Sequence, residues 1–136
     1  MDFPAKLRGL KWLAAVVGLY GFIWIGLEGA IWQALLLAVG LVLSGELYLL
    51  ERQLGGRHIS GRRWLLYCAL LGCFSGLACA ILALALMAIK TGLHGHGPEF
   101  SAAEIEWLLA QIPLWMVSAM IAALGLGTLA MAFQRR

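Results

Sequence analysis

The chain has 136 residues, of which 62% are hydrophobic and only 12% are charged. Soluble domains carry about 25% charged residues, so this chain has too little polar surface to cover a water-soluble core. Composition therefore excludes a soluble globule, a disordered chain and a nucleic-acid-binding module, and it indicates that lipid covers the apolar surface. The three cysteines all fall in one apolar stretch without metal-ligand spacing, and we interpret them as small packing residues.

Four apolar segments follow one another along the chain, and about 20 apolar residues are enough to cross a hydrocarbon core. They predict an all-α integral membrane protein, a four-helix bundle that forms a single transmembrane domain over residues 1–136. The predicted spans cover residues 10–27, 30–50, 64–89 and 107–133. A basic stretch precedes the first apolar run, as in a signal peptide. Because no convincing small-x-small cleavage pattern follows, we expect this run to be an uncleaved first span.

Positive charge is distributed unevenly over the predicted topology. The N-terminal segment holds three Lys or Arg residues, the connection 51–63 holds four and the C-terminal end holds two, so nine of the ten lie on one side of four spans. Only Lys90 lies on the other side. The positive-inside rule therefore predicts an inner (cytoplasmic) membrane protein with both termini in the cytoplasm. Anionic headgroups account for the excess of positive charge without a nucleic-acid partner.

The fourth span has its own start signal. Ser101 is followed three residues later by Glu104, which predicts a capping box and a helix that begins at Ala102. Pro113 lies inside this helix and predicts a kink between an interfacial segment, 102–112, and the span proper.

One face of each predicted span carries small or polar residues at helical spacing. These stripes are Ala14, Gly18, Gly21 and Glu28; Gln33, Gly40, Ser44 and Glu51; Cys68, Gly72, Ser75, Gly76, Cys79 and Ala83; and Gln111, Ser118, Ala122 and Gly125. Small residues let helix backbones approach closely in a bilayer. The motif Gly72-x-x-x-Gly76 therefore favours packing within the molecule, and an oligomer face is the alternative.

Glu46 is the most unusual residue of the predicted spans, because it is a carboxylate about one turn inside the end of the second span. Helical spacing turns it away from the polar stripe of that span and onto a large apolar face. A carboxylate in hydrocarbon is costly unless it is paired or close to the headgroups. We expect it to reach the interface or to pair with Arg52, Arg62 or Arg63. Contact with a partner or a ligand is one alternative, and a proton relay is the other.

The connection before the fourth span contains His94, His96 and Glu99. Imidazole and carboxylate groups are ligands for Zn²⁺ and Cu²⁺, so this Gly-rich loop is a candidate metal site. An ordinary polar turn and a pH-sensing or partner-contact loop are the alternatives. Because no histidine lies in the middle of a span, haem between the helices and a nucleophile triad are both disfavoured, and any cofactor is unknown.

The sequence predicts architecture more strongly than function. The leading hypothesis is a non-catalytic accessory or assembly subunit of a larger membrane complex, with lipids and another membrane subunit, or a second copy, as partners. The second hypothesis is a small homo-oligomeric transporter or channel with an outer vestibule near Glu28, Gln33 and Gln111. The third is a metal-binding membrane protein that uses His94 and His96.

Overall fold

A computed structural model describes residues 3–27, 30–94 and 100–134, with only the helical backbone of His94 included. These residues form an all-helical fold, as predicted. The four helices are α1 (Leu10–Ile25), α2 (Ile31–Leu54), α3 (Gly61–His94) and α4 (Ala102–Gln134).

Three of these helices, α2, α3 and α4, are long and apolar enough to cross a membrane. Helix α1 is also apolar, but its 16 residues fall below the length of an ordinary span. Such a helix rises about 24 Å, whereas the hydrocarbon core is about 30 Å thick. Length and composition thus indicate a membrane protein with three membrane-capable helices. Whether the first predicted span crosses completely stays a prediction.

Two helices extend beyond the ends that the sequence predicts. Helix α2 passes residue 50 and ends at Leu54, and the amide of its C-cap residue Gly55 donates to the carbonyl of Glu51. Helix α3 continues to His94, so the expectation that Lys90 lies in a connection is wrong. The reason is that Trp24 at the end of α1 and Leu27 just after it supply carbonyl acceptors for the Lys90 ammonium, which allows α3 to continue with this side chain buried.

The capping box at the start of α4 is confirmed. The amide of Glu104 donates to Ser101 Oγ at 3.2 Å, and the amide of Ser101 donates to Glu104 Oε2 at 2.8 Å. The two residues therefore satisfy each other's otherwise unpaired backbone donors. Helix α4 includes Pro113 in its interior, and the kink predicted there stays a prediction.

Each helix packs against its neighbour in the chain, and α3 and α4 approach most closely. A Cβ atom added to Gly76 would lie 2.5 Å from the backbone of Trp115 and Met116, and one on Gly72 would lie 2.5 Å from the carbonyl oxygen of Ala119. The two backbones are therefore in direct contact at these glycines. The Gly72-x-x-x-Gly76 motif packs within the molecule, as predicted.

The contact between α1 and α2 follows the predicted stripes in part, because Gly21 and Gly40 pack against the neighbouring helix and Gly18 does not. Val17 fits over Gly40, where an added Cβ atom would lie 2.8 Å from the valine side chain. Gly18, which belongs to the predicted packing stripe of α1, has open space around it. The physical reason is that Gly40 provides a notch in α2, and the branched side chain of Val17 fills it.

The basic segments meet at one end of the helices. The amide of Phe3 donates to the Arg57 carbonyl at 3.1 Å, and the Phe3 ring lies 5.8 Å from that of Trp64. The indole of Trp64 in turn donates to the carbonyl of Gly127, near the end of α4. The start of the chain, the α2–α3 connection and the end of α4 are thus brought together. The described cations at this end are Lys6, Arg8, Lys11, Arg52, Arg57, Arg62 and Arg63.

Candidate functional site

An open groove runs between α2 and α4, and α3 forms its floor because it packs against both of them. The larger part of the groove has a volume of about 530 Å³ and the smaller part about 330 Å³. The two parts share Leu43, Ser75 and Ala119 as lining residues, so they form one continuous surface, here called the α2–α4 groove. Along α2 it extends from Leu35 to Leu50, which is about 22 Å at 1.5 Å per residue.

Glu46 is half-buried and lines this groove, and it also borders a shallower depression between α2 and α3. The hydroxyl of Ser75 on α3 donates to the Glu46 carboxylate, with Oγ lying 2.6 and 2.7 Å from the two carboxylate oxygens. The carbonyl oxygen of Leu71 lies 2.8 Å from the same hydroxyl and competes for its single proton. The carboxylate of Glu46 is thus held by one neutral donor that is itself shared.

This placement corrects one branch of the expectation for Glu46, pairing with an arginine, whereas its reach to the headgroups stays a prediction. The sequence predicts that its carboxylate reaches the headgroups or pairs with Arg52, Arg62 or Arg63, whereas the structure turns it toward α3. The physical reason is that Ser75 presents a hydroxyl at the same level of the neighbouring helix. Within residues 3–27, 30–94 and 100–134, no arginine or lysine forms an ion pair with this carboxylate.

The walls of the groove differ in the size of their side chains. The α2 wall carries large apolar residues, whereas much of the α4 wall consists of small ones. Ser118 and Ala122, both predicted in the small-residue stripe of the fourth span, are exposed and line the groove. The small residues on the α4 wall are Ser118, Ala119, Ala122, Ala123, Gly127 and Ala130. An elongated apolar molecule or segment that occupies the groove can therefore come close to the α4 backbone.

Lys90 is another charged residue within an apolar helix, and its surroundings differ from those of Glu46. Its side chain is fully buried, and its ammonium donates to the carbonyls of Trp24 and Leu27 at the end of α1. The ammonium also lies 4.8 Å from the centroid of the Trp24 ring. Because the C-terminal carbonyls carry the negative end of the helix dipole, Lys90 acts as a cap for α1.

Sequence reasoning missed this cap. The third predicted span ends at residue 89, which left Lys90 in the following connection, whereas the structure buries both Lys90 and Trp24. The available signal was a single lysine that directly follows the apolar run 64–89. That signal does not name the helix end to which the lysine binds.

The predicted vestibule residues are only partly described. Gln33 and Gln111 are half-buried, and Gln33 Oε1 has no hydrogen-bond partner among the described residues. The backbone carbonyl of Gln33 accepts from the Tyr20 hydroxyl at 3.2 Å, which ties α1 to the start of α2. Glu28 lies outside the described residues. The vestibule therefore stays a prediction.

The predicted metal site also stays untested. His96 and Glu99 lie outside the described residues, as does the side chain of His94. In the part of the chain that the structure describes, no group of three or more His, Cys, Asp or Glu residues is arranged to hold a metal ion.

No protein-family model, curated protein or solved structure matches this chain. A four-helix architecture does not specify a function by itself, because unrelated activities share the same folds. Function therefore has to be inferred from the α2–α4 groove and from the chemistry of Glu46.

Proposed function

We propose that the chain is a non-catalytic accessory subunit of the inner (cytoplasmic) membrane, which binds a transmembrane helix of a larger membrane complex in the α2–α4 groove. The observation that carries this proposal is the half-buried carboxylate of Glu46 in an otherwise apolar groove. A small oligomer made only of this chain is the competing arrangement.

The electrostatics of Glu46 favour a protein partner. Placing a carboxylate in a bilayer costs free energy. The only donor that the fold supplies to Glu46 among the described residues is the Ser75 hydroxyl, and the Leu71 carbonyl competes for the same proton. A second donor or a cation from a partner helix would offset that cost. Acyl chains can fill the same apolar space, but they have no hydrogen-bond donor for the carboxylate.

The shape of the groove also fits a helix. Its length of about 22 Å corresponds to about four helical turns. Small side chains on one wall, such as Ser118 and Ala122, allow a second backbone to approach, and close approach is the main source of helix association in lipid. Large side chains on the opposite wall, such as Leu35 and Val39, supply the remaining van der Waals contact.

The proposed orientation places both termini in the cytoplasm. Its support is the gathering of seven described cations at one end of the helices, while Lys90 on the other side is buried against α1. Exposed Lys and Arg residues mark the cytoplasmic side of most membrane proteins.

The test is quantitative co-purification from native membranes in a mild detergent. Glu46→Leu should lower recovery of the partner about tenfold or more, because truncating one side of a buried charged contact costs at least that factor in affinity. Glu106→Leu is the matched control, since Glu106 is exposed at the start of α4 outside the groove, and it should leave recovery unchanged.

Equal recovery of the partner from both variants would contradict the proposal. Ion or solute flux through liposomes that contain only this chain would instead favour the transporter hypothesis. Recovery of a second copy alone would assign the groove to a homo-oligomer.

A further inference from the structure

A second cleft lies at the basic end of the molecule, between the N-terminal segment, α1 and α2. Its volume is about 960 Å³. It is separate from the α2–α4 groove, with which it shares no lining residue. This cleft, here called the basic cleft, is lined at its outer end by Lys6, Arg8, Lys11, Trp12, Tyr48 and Glu51.

The N-terminal segment that carries the cations is fixed in place. The amide of Leu7, between Lys6 and Arg8, donates to Glu51 Oε2 at 2.8 Å. Phe3 is buried and exchanges backbone hydrogen bonds with the α2–α3 connection. Three exposed cations are therefore held along one side of a defined cleft.

The charge of this basic cleft is complementary to an anion. Lys6, Arg8 and Lys11 contribute three positive charges, and the carboxylate of Glu51, already engaged by the Leu7 amide, contributes one negative charge. The cleft therefore has a net charge of +2 within its described lining.

The remaining lining of the basic cleft is amphipathic, with interfacial aromatic rings beside the cations and apolar surface further in. Trp12 and Tyr48 are exposed beside the cations, and such rings settle at the level of the headgroups. Ala14 and Gly45 lie further along α1 and α2, toward the interior of the span, and offer an apolar wall. From the basic end toward the interior of the span, the cleft thus presents cations and then apolar surface, which matches the phosphate and the acyl chains of a phospholipid.

We infer that this basic cleft binds one anionic phospholipid. Its phosphate contacts Lys6, Arg8 and Lys11, and its acyl chains follow the wall at Ala14 and Gly45. A soluble phosphate compound would satisfy the cations but would leave the apolar wall uncovered, so the ligand is a lipid. This site is independent of the proposed function of the α2–α4 groove, and either one can fail without the other.

The test titrates the purified full chain in detergent with phosphatidylglycerol and with phosphatidylcholine, and counts bound lipid by native mass spectrometry. The wild type should bind one phosphatidylglycerol in preference to phosphatidylcholine. The triple variant Lys6→Gln, Arg8→Gln, Lys11→Gln should raise the Kd on the order of a hundredfold, at about fivefold for each cation near a lipid surface.

The matched control removes the same charge at the same end of the molecule. Arg52→Gln, Arg62→Gln, Arg63→Gln affects exposed cations that do not line the basic cleft, and it should change the Kd by less than about threefold, because screened charges outside a contact contribute little. The single variant Arg8→Gln should lose about fivefold, so the site can be tested even if the triple variant does not fold.

Three results would overturn the inference. One is equal binding of phosphatidylcholine, and another is an equal loss of affinity in the two triple variants. The third is displacement of the lipid by inorganic phosphate at the same concentration, which would assign the basic cleft to a soluble anion.

Discussion

Lys90 and Glu46 are both charged residues within apolar helices, yet they differ in burial and in the hydrogen bonds that the fold gives them. Lys90 is fully buried at the end of α1, where backbone carbonyls and the face of Trp24 surround its ammonium. Glu46 is half-buried in an open groove, and its carboxylate accepts a hydrogen bond from the Ser75 hydroxyl. The fold itself satisfies the first charge, whereas the second is the charge for which we propose a partner outside the chain.

The comparison is sharpest when each charge is removed. Neutralising Lys90 leaves carbonyls at the end of α1 without their donor, whereas neutralising Glu46 removes a group that the fold barely stabilises. The four predictions that follow concern unfolding of the purified chain in one mild detergent, and they run from the largest effect to the smallest.

Lys90→Met should lower the free energy of unfolding by about 3 kcal/mol. Methionine keeps most of the buried volume but donates no hydrogen bond, and buried hydrogen bonds from a charged group contribute about 1.5–3 kcal/mol each. Thermal unfolding followed by circular dichroism measures the loss, with Arg63→Met as the control at an exposed cation. If both variants unfold at the same temperature, Lys90 does not hold α1.

Gly76→Val should lower the free energy of unfolding by about 2 kcal/mol, since overpacking a tight contact costs about 1–3 kcal/mol. The new side chain would press on the backbone of α4 at Trp115 and move the α4 wall of the α2–α4 groove away from its floor. Gly18→Val, with open space around it, is the control and should change little. Equal behaviour of the two variants in the same thermal scans would show that α3 and α4 are not in backbone contact.

Ser75→Ala should lower the free energy of unfolding by about 1 kcal/mol, because it removes one hydrogen bond to a carboxylate that is only half-buried. Recovery of the partner should not fall, since the carboxylate of Glu46 remains in the α2–α4 groove. Both quantities can be measured on the same preparation. Loss of the partner with Ser75→Ala would mean that the serine orients the carboxylate or contacts the partner itself.

Glu46→Leu should change the free energy of unfolding by less than about 1 kcal/mol, or raise it, because replacing a desolvated charge by an apolar residue is often neutral or stabilising. We expect the same variant to lose the partner in the co-purification experiment. A destabilisation as large as that of Lys90→Met would instead make Glu46 a structural residue, and the contrast between the two regions would disappear.

Much of the fold could be predicted from the sequence because it depends on local patterns. Apolar runs predict the helices, Ser101 and Glu104 predict the start of α4, and the spacing of Gly72 and Gly76 predicts a close helix contact. Each of these signals lies within a few turns of one helix. The helix ends at Leu54 and His94 were harder to predict, because charged residues there continue a helix that the apolar pattern alone would end.

Only part of the candidate site could be predicted from the sequence, because its contacts join residues far apart in the chain. The sequence singles out Glu46 as a costly carboxylate, but its partner Ser75 lies 29 residues away, and Lys90 lies 66 residues from its acceptor Trp24. Such pairs depend on which helix lies opposite, at which height and with which rotation. Helical periodicity gives the face of one helix and contains no information about its neighbour.

The most direct test of the central claim is photocrosslinking in native membranes at two positions of α4. A photoreactive amino acid replaces Ser118, which lines the α2–α4 groove, or Ile121, which is 62% exposed on the surface of the same helix. We expect a discrete protein adduct from position 118 that disappears when Glu46→Leu is added, and no such adduct from position 121. Only lipid adducts at position 118, or the same protein adduct from both positions regardless of Glu46, would contradict the central claim.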